Sequence, residues 1–291
     1  MEFDEVIASY LSHGYRLEMI FPADAPRVAE LSRGAERVTV ESESVPQRDG
    51  AWHVGRAGME YRDLLPDRCG GRLIASHIRI RVGGPIPDYV HYHDIGFQII
   101  YCLKGSARLV YEDQGEPFEF RAGDCVLQPP KIRHRVLECS DGFEVFEVGS
   151  PAENPTFAEH SFDLPTGIMA PDRWFGSQQF LHHRSAGAET VSRDGFKIRR
   201  TGICRASAGA GDVYVVSSFN GGVFDPGYKV ECMKILFVAT GTVRTSGSAF
   251  DTGEAFIADD DGPFEVGDNT ELIVVEVGRE PPPIVQVKEV N

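Results

Sequence analysis

The sequence has no long apolar segment and no excess of positive charge. No stretch approaches the ~20 apolar residues that a membrane-spanning helix needs, and acidic side chains occur from Glu2 onward. Lys and Arg total 29 against 44 Asp and Glu, which gives a net charge of -15. Because nucleic acids and anionic membrane surfaces attract basic proteins, we expect neither of them as a partner. These observations predict a cytoplasmic protein.

The sequence also lacks the motifs of several common enzymes and metal sites. Its six cysteines occur singly, without a C-x-x-C pair, which favours reduced thiols in the core over a thiolate metal site. No Walker or dinucleotide-binding fingerprint is present, and there is no G-x-S-x-G nucleophile elbow. The sequence therefore gives no support to a nucleotide-dependent enzyme or to an α/β-type hydrolase.

Two histidines lie two positions apart in residues 91–98, HYHDIGFQ. Because alternate side chains of a strand point to the same face, His91 and His93 would share one face. Gln98 begins the next predicted strand, and its carbonyl oxygen could serve as a neutral ligand beside the two imidazoles. A third imidazole, His134, follows a second segment of turn, strand and turn. Three imidazoles and an amide oxygen suit a divalent transition metal.

The segments around these residues resemble the two sequence motifs of the cupin superfamily, G-x5-H-x-H-x4-E-x6-G and G-x5-P-x-G-x2-H-x3-N. Residues 84–105 match the first motif, with six residues rather than five before His91, and residues 123–138 match the second. Three positions depart from the motifs: Gln98 replaces Glu, Lys131 replaces Gly and Glu138 replaces Asn. The amide at Gln98 removes one negative charge and one proton acceptor from the ligand set.

The resemblance implies a small antiparallel barrel that holds one divalent transition metal per chain. The implied ligands are His91, His93, Gln98 and His134. Fe2+ is the favoured ion, and Mn2+, Ni2+ and Zn2+ are alternatives, because imidazole and amide donors accept all of them. Four protein ligands leave coordination positions open for a substrate or dioxygen.

The second half of the chain repeats the pattern without the ligands. Residues 235–241 and 253–259 align with residues 99–105 and 123–129. In this alignment the four ligand positions carry Gly227, Lys229, Lys234 and Phe264. Lysine ammonium groups repel a cation. The resemblance is therefore to a two-barrel cupin with one metal-binding barrel and one degenerate barrel.

The predicted fold class is all-β, with two cupin-type antiparallel β-barrels, each a double-stranded β-helix, and a small N-terminal α/β extension. The 291 residues provide enough material for two modest domains. We predict the extension at residues 1–59, the metal-binding barrel at 60–150, a proline-rich linker at 151–180 and the degenerate barrel at 181–291.

Apolar spacing predicts the local structure of the extension. Residues 3–12 have helical periodicity, and residues 15–21 and 37–41 predict strands. Asp24 is a candidate N-cap, with Pro26 in the first turn, for a short helix that follows it. Because the extension shows no catalytic pattern, we expect it to pack on the barrel or on a second subunit.

Residues 44–58 are polar and rich in glycine, and we predict a connecting loop there. The strand that follows, residues 72–82, alternates between an apolar face and a face with His77, Arg79 and Arg81. We expect the basic face to point out of the barrel. If it pointed inward, His77 and Arg79 would line the pocket and favour an anionic substrate.

Three residues near the predicted ligands are candidates for catalytic roles. Tyr89 shares the strand face of His91 and could contact the substrate, or it could cap the mouth of the barrel. Arg79 could orient an anion, and Glu138 continues the strand face of His134. All three assignments depend on which strand faces line the pocket.

Three functions fit this sequence. The first is a non-haem Fe(II) dioxygenase that acts on a small enolic, phenolic or carboxylate substrate. The second is a non-redox isomerase or lyase for a sugar-acid-like substrate, since some single-barrel cupins use a similar set of three histidines and one glutamine. The third is a metal-binding sensor without turnover. We expect a small anionic substrate and a homodimer formed through sheet edges.

Overall fold

The polypeptide folds mainly into antiparallel β-sheet, which confirms the predicted all-β class. The computed structural model describes residues 3–42, 50–227, 232–258 and 262–278. The pairings that build the sheets of both barrels are antiparallel. Within the described ranges, no helix has the length and apolar character that a membrane crossing requires.

The N-terminal extension is a helix followed by short strands. Its elements are α1 (Phe3–Ser12), β1 (Arg16–Phe21), β2 (Val28–Arg33), β3 (Glu36–Glu41) and β4 (His53–Val54). The predicted helix and the first and third strands are confirmed, whereas the helix predicted after Asp24 is wrong. Strand β2 forms instead because buried Ala29 and Leu31 flank exposed Glu30, the period of a strand, and because β2 pairs with both β1 and β3.

The first barrel consists of two facing sheets. Its elements are β5 (Glu60–Asp63), the helical turn α2 (Arg68–Gly71), β6 (Ile74–Ile80), β7 (Gly84–Pro85), β8 (His91–His93), β9 (Phe97–Lys104), β10 (Ser106–Tyr111), β11 (Phe118–Arg121), β12 (Cys125–Leu127), β13 (His134–Cys139) and β14 (Phe143–Ser150). One sheet contains β11, β10, β13 and β8 in that order, and the other contains β12, β9, β14, β6, β5 and β4.

Four short strands follow the first barrel: β15 (Thr156–Ala158), β16 (Trp174–Phe175), β17 (Gln178–Gln179) and β18 (Leu181–His183). Strand β15 pairs with β8 on one side and with β1 on the other, so the extension and the barrel share one sheet. Strand β18 pairs with β12 at the edge of the other sheet. Part of the predicted linker is therefore built into the wall of the first barrel.

The second barrel is built from one sheet. Its elements are β19 (Thr190–Arg193), β20 (Phe196–Arg200), α3 (Ile203–Ala206), β21 (Gly211–Phe224), β22 (Cys232–Thr240), β23 (Thr242–Arg244), β24 (Ala249–Asp251), β25 (Ala255–Ile257) and β26 (Phe264–Gly278). The strand order is β19, β20, β21, β26, β22 and β25, and β23 and β24 attach to it through β26.

The two barrels pack against each other through a shared apolar core. Phe97 and Ile99 of β9 belong to this core, whereas Gln98 between them points into the first barrel. On the neighbouring strand β14, Phe146 stacks on Phe237 of the second barrel with ring centroids 4.6 Å apart. Strand β9 is therefore buried on both faces, which fixes the side that Gln98 presents to the first barrel.

The interior of the second barrel is filled with apolar side chains. Aromatic rings from four strands meet there: Phe196, Phe224, Phe256 and Phe264. Phe264 occupies the position that the alignment assigns to His134, and it is a packing residue in this core. The aromatic rings occupy space that remains open in the first barrel.

A buried lysine occupies another aligned ligand position. Lys234, at the position of Gln98, is 2% exposed. Its Nζ donates to Pro226 O at 3.1 Å and lies 4.0 Å from the Glu276 carboxylate. The other aligned lysine, Lys229, lies outside the described residues. An ammonium group in place of an amide oxygen opposes cation binding in the second barrel.

Candidate metal centre

Two adjacent strands bring the three predicted histidines together. His91 and His93 are the first and last residues of β8, and His134 begins β13 directly opposite His91. The ring centroid of His91 lies 4.2 Å from that of His134 and 5.2 Å from that of His93, and the third distance is 5.3 Å. All three rings are buried, with one nitrogen of each within 4.8 Å of the others. The two-residue period of a strand places His91 and His93 on one face of β8, and the register of the pairing between β8 and β13 places His134 beside them.

Each imidazole is anchored through its Nδ1 atom. The partners are Tyr89 O for His91 at 2.8 Å, Ile132 O for His134 at 3.0 Å and Thr156 Oγ1 for His93 at 3.0 Å. Nε2 is then the ring nitrogen left for a ligand, and His91 Nε2 is buried with no hydrogen-bond partner among the described residues. Because a buried, unpaired ring nitrogen is costly, these residues fit a divalent transition metal bound through imidazole.

Burial keeps the three imidazoles neutral. It lowers the pKa of His134 to about 4 and the pKa values of His91 and His93 well below their ordinary value. The Arg56 guanidinium adds a smaller effect in the same direction. Because only a neutral imidazole offers a lone pair to a metal, the cluster can accept a cation at neutral pH.

We expect the metal-free protein to lose stability as the pH falls below about 6.5. The unfolded histidines take up protons near that pH, whereas the folded ones stay neutral to a lower pH, about 4 for His134. The free energy of unfolding is therefore highest above the unfolded pKa and falls by up to about 1.4 kcal/mol per pH unit for each histidine. Urea titrations across this range measure the slope, and a slope that His134→Gln leaves unchanged would contradict the assignment.

Gln98, the fourth predicted ligand, is 3% exposed and lines the same cavity as His134. Its Oε1 accepts a hydrogen bond from Gln128 Nε2 at 2.9 Å, and its Nε2 donates to Glu147 Oε1 at 2.5 Å. Gln128 Oε1 in turn accepts from the Tyr111 hydroxyl at 2.8 Å. These contacts fix the orientation of the amide, and the second lone pair of Gln98 Oε1 is left for a metal.

Glu147 is a carboxyl group at the cavity that the sequence analysis missed. It lies on the inward side of β14, in line with Phe143 and Val145. Burial raises the pKa of Glu147, and the hydrogen bond from Gln98 opposes this with a smaller effect. The signal is present in residues 143–148, FEVFEV, where alternation places Glu147 on the same face as Phe143 and Val145. Glu147 provides a proton acceptor beside a ligand position that carries an amide.

A cavity of about 100 Å³ lies inside the first barrel beside the histidines. Much of its wall is apolar and includes Ile74, Ile78, Ile100, Leu109, Phe120 and Val145. Since one water needs roughly 10–15 Å³ on this scale, the cavity accommodates a small organic molecule. Among the described residues, none beyond Asn154 lines it, so the described part of the second barrel adds nothing to its wall.

Comparisons with known proteins agree with this geometry. Residues 76–146, which contain the four predicted ligands, match the family model of the cupin domain. The fold is similar to oxalate decarboxylase from Bacillus subtilis, at 13% identity and a TM-score of 0.54 over 80% of this chain and 75% of that chain. It is also similar to salicylate 1,2-dioxygenase from Pseudaminobacter salicylatoxidans, at 13% identity and a TM-score of 0.51 over 71% of each chain. The chain therefore contains a cupin domain and has the fold of a two-barrel cupin.

A sequence search of curated proteins finds no match for this chain. The structural similarities span both barrels, whereas the family match is confined to the first. At these identities the comparisons establish the fold, and the chemistry of the site must be argued from its own residues.

The N-terminal extension of the cupin contributes to the cavity wall through Ala23 and Asp24. A buried cluster of charges holds this segment in place: Arg68, 2% exposed, forms ion pairs with Asp24 and with Asp63. The backbone N–H of Ala23 also donates to Asn154 O at 3.0 Å. The extension therefore packs on the first barrel and forms part of the site, a role that its sequence did not reveal.

Tyr89 and Glu138, two of the predicted catalytic residues, lie in different environments. The Tyr89 ring packs edge-on against His91 with centroids 5.7 Å apart, and burial raises the pKa of its hydroxyl. Glu138 lies on the outer surface of the cupin barrel, with its side chain 53% exposed and 3.8 Å from Arg108. Tyr89 thus adjoins the histidine cluster, whereas Glu138 is separated from the cavity by the wall of the barrel.

Arg79, the third of these residues, is part of the cavity wall, but its guanidinium is bound to groups outside the histidine cluster. Its guanidinium pairs with Glu60 at 2.5 Å and lies 3.7 Å from the ring centroid of Trp52. On the same face, His77 packs against Phe237 of the second barrel with centroids 6.0 Å apart. On this face of β6, Trp52 covers Arg79, and Phe237 of the second barrel packs on His77.

Proposed function

We propose that this cupin is a non-haem Fe(II) dioxygenase that acts on a small enolic, phenolic or carboxylate substrate. The observation that carries the proposal is the cluster of three buried, neutral imidazoles beside a small cavity. His91, His93 and His134 would hold the ion, and Gln98 Oε1 would be the fourth ligand. When bound, Fe2+ would supply redox chemistry with dioxygen.

The groups of the chain itself would bind the substrate and move its proton. Glu147, held by the Gln98 amide at 2.5 Å, is placed to accept the proton of an enolic or phenolic hydroxyl. The apolar wall excludes water from the reacting groups, which strengthens polar contacts to the substrate. The similarity in fold to a salicylate 1,2-dioxygenase supports the oxygenase hypothesis.

Oxygen consumption tests this proposal. Protein purified without added metal is analysed for its metal content, loaded with Fe2+ under anaerobic conditions and screened with an oxygen electrode against enolic, phenolic and carboxylate compounds. We expect oxygen uptake in proportion to substrate loss. Turnover that continues undiminished without oxygen would rule out the oxygenase, and a failure of every metal to support chemistry would favour a sensor.

A non-redox isomerase or lyase for a sugar-acid-like substrate is the second candidate, and Glu147 favours it. A buried carboxyl group with a raised pKa, next to an amide ligand, suits proton transfer to and from a substrate carbon. The similarity in fold to oxalate decarboxylase is compatible with chemistry other than oxygenation. Because Zn2+ has no redox chemistry, full activity with Zn2+ would support this candidate over the dioxygenase.

A further inference from the structure

Arg56 brings a guanidinium to the cavity from outside the barrel strands. It begins the 3₁₀ turn Arg56–Gly58 between β4 and β5, in the segment that the sequence predicted as a connecting loop. Its side chain is 12% exposed, and it lines the cavity together with His134 and Glu147. Its charge contributes to the lowered pKa values of all three histidines. The cavity therefore has a permanent cation beside the candidate metal centre.

A buried carboxylate fixes the position of Arg56. Asp88, whose side chain is fully buried, accepts a hydrogen bond from Arg56 Nη1. This carboxylate also accepts hydrogen bonds from the backbone N–H groups of Tyr89 and Val136, each at 3.0 Å. Its Oδ1 also lies 3.6 Å from His91 Nδ1. Asp88 thus holds the guanidinium next to the histidine cluster.

Most of the donors of Arg56 are left without an acceptor. Within residues 3–42, 50–227, 232–258 and 262–278, the guanidinium bonds to Asp88 alone, through one nitrogen. No other nitrogen of Arg56 is among the buried side-chain atoms that lack a hydrogen-bond partner, which means that these nitrogens are accessible. The buried Arg68, by contrast, pairs with two carboxylates, Asp24 and Asp63. Arg56 can therefore donate to a ligand that enters the cavity.

The two carboxyl groups that line the cavity have partners other than this guanidinium. Asp24 pairs with Arg68, and Glu147 accepts a hydrogen bond from Gln98. Most of the remaining wall is apolar. Arg79 and Arg135 also line the cavity, and the guanidinium of Arg79 is paired with Glu60. An anion with an apolar body matches a cavity with guanidinium groups and apolar walls.

We propose that Arg56 binds the carboxylate of the substrate and thereby selects small carboxylic acids with an apolar body. The planar guanidinium matches the two oxygens of a carboxylate, and the water-poor cavity strengthens the contact. This role specifies the substrate class of the proposed function, and its part in turnover rests on that function. An acid held by Arg56 lies within the cavity that Glu147 and the candidate metal centre share. Binding of the carboxylate itself requires no metal.

Isothermal titration calorimetry of the metal-free protein tests this role. Benzoate and acetate are the probes, and benzamide and acetamide are neutral probes of the same shape. We expect the carboxylates to bind roughly 10- to 100-fold more tightly than the amides, as charge-assisted hydrogen bonds do. Arg56→Gln should abolish this preference. Arg56→Lys keeps the positive charge but lacks the planar pair of N–H donors, so this variant should retain part of the preference for carboxylates.

Arg27→Gln is the matched control for this experiment. Arg27 also pairs with a carboxylate, that of Glu153 at 2.9 Å, but it does not line the cavity, so the variant should keep the wild-type preference. Thermal unfolding checks that each variant is folded. If Arg56→Gln fails to fold, the carboxylate preferences of the wild type and of Arg56→Lys decide the question.

Two results would overturn the role of Arg56. One is equal affinity of the metal-free wild type for benzoate and benzamide, and the other is an unchanged preference in folded Arg56→Gln. Because the titration measures binding without turnover, a failure to consume oxygen would count against the proposed dioxygenase and leave the carboxylate-binding result intact.

Discussion

His134→Ala is expected to reduce metal binding from about one ion per chain to a small fraction of that value. His134 supplies one of the three imidazoles, and its register opposite His91 leaves no other histidine to replace it in the described cluster. Loss of a direct ligand should weaken binding by more than the roughly 10- to 100-fold that loss of a supporting residue costs. Elemental analysis after dialysis and competition with a coloured chelator measure the loss.

The control for this variant is His160→Ala. His160 bonds to Leu17 O at 2.6 Å and lies outside the cavity, so its removal should leave the metal content unchanged. Circular dichroism shows whether both variants retain their β-structure. A folded His134→Ala protein that still binds one ion with wild-type affinity would show that the metal lies elsewhere, and the proposed function would lose its basis.

Glu147→Gln is expected to lower kcat by roughly 10²- to 10⁴-fold, the usual contribution of a general acid or base. The substitution preserves the shape of the side chain, and the new amide oxygen can still accept the hydrogen bond from Gln98 that Glu147 accepts in the wild type. It removes the proton acceptor alone. The measurement is kcat and KM on the substrate that the oxygen-uptake screen identifies, with metal content determined for each variant.

The pH dependence provides an independent check on Glu147. A base must be ionised to act, so wild-type kcat/KM should fall as the pH falls through the raised pKa of Glu147, which lies above its ordinary value of 4.5. This acidic limb should be absent in Glu147→Gln. Retention of both the limb and the rate by the variant would exclude Glu147 as the proton acceptor.

Glu144→Gln is the matched control on the same strand. Glu144 lies on the opposite face of β14, where it bonds to His77 Nε2 at 2.9 Å and lies 3.6 Å from Lys104 Nζ. Its removal changes the charge of the strand without changing the cavity. We expect kcat and the acidic limb to remain as in the wild type.

The described part of the second barrel packs against the first barrel and does not line its cavity. Strand β9, which carries Gln98, presents Phe97 to the second barrel, and the backbone of Gly211 approaches this ring closely. A Cβ at Gly211 would lie 2.5 Å from Phe97 Cζ and 2.7 Å from Glu276 O, so a side chain would not fit there. Such close packing explains how the second barrel, whose aligned positions carry no metal-ligand set, can still position strand β9 and its candidate ligand Gln98.

The sequence alone was sufficient for those features that depend on short-range periodicity. His91 and His93 lie on one face because strand side chains alternate, and the spacing of the second motif identified His134 as the third imidazole. Lys234 and Phe264 align with the ligand positions Gln98 and His134, and the structure buries both side chains in the second barrel. Each of these inferences needs only the residue types and their separation along the chain.

The partners of these residues depended on the packing of segments that are distant in sequence. Alternation divides β6 and β14 into two faces, but it cannot show that the second barrel packs on His77, or that Glu147 faces the cavity. Arg56 lies in an irregular turn without periodicity, and its place beside Asp88 follows from the fold. The physical reason is that the two-residue repeat of a strand specifies only which face of the sheet a side chain is on. Its burial and its ion pairs depend on which other segment of the chain packs against that face.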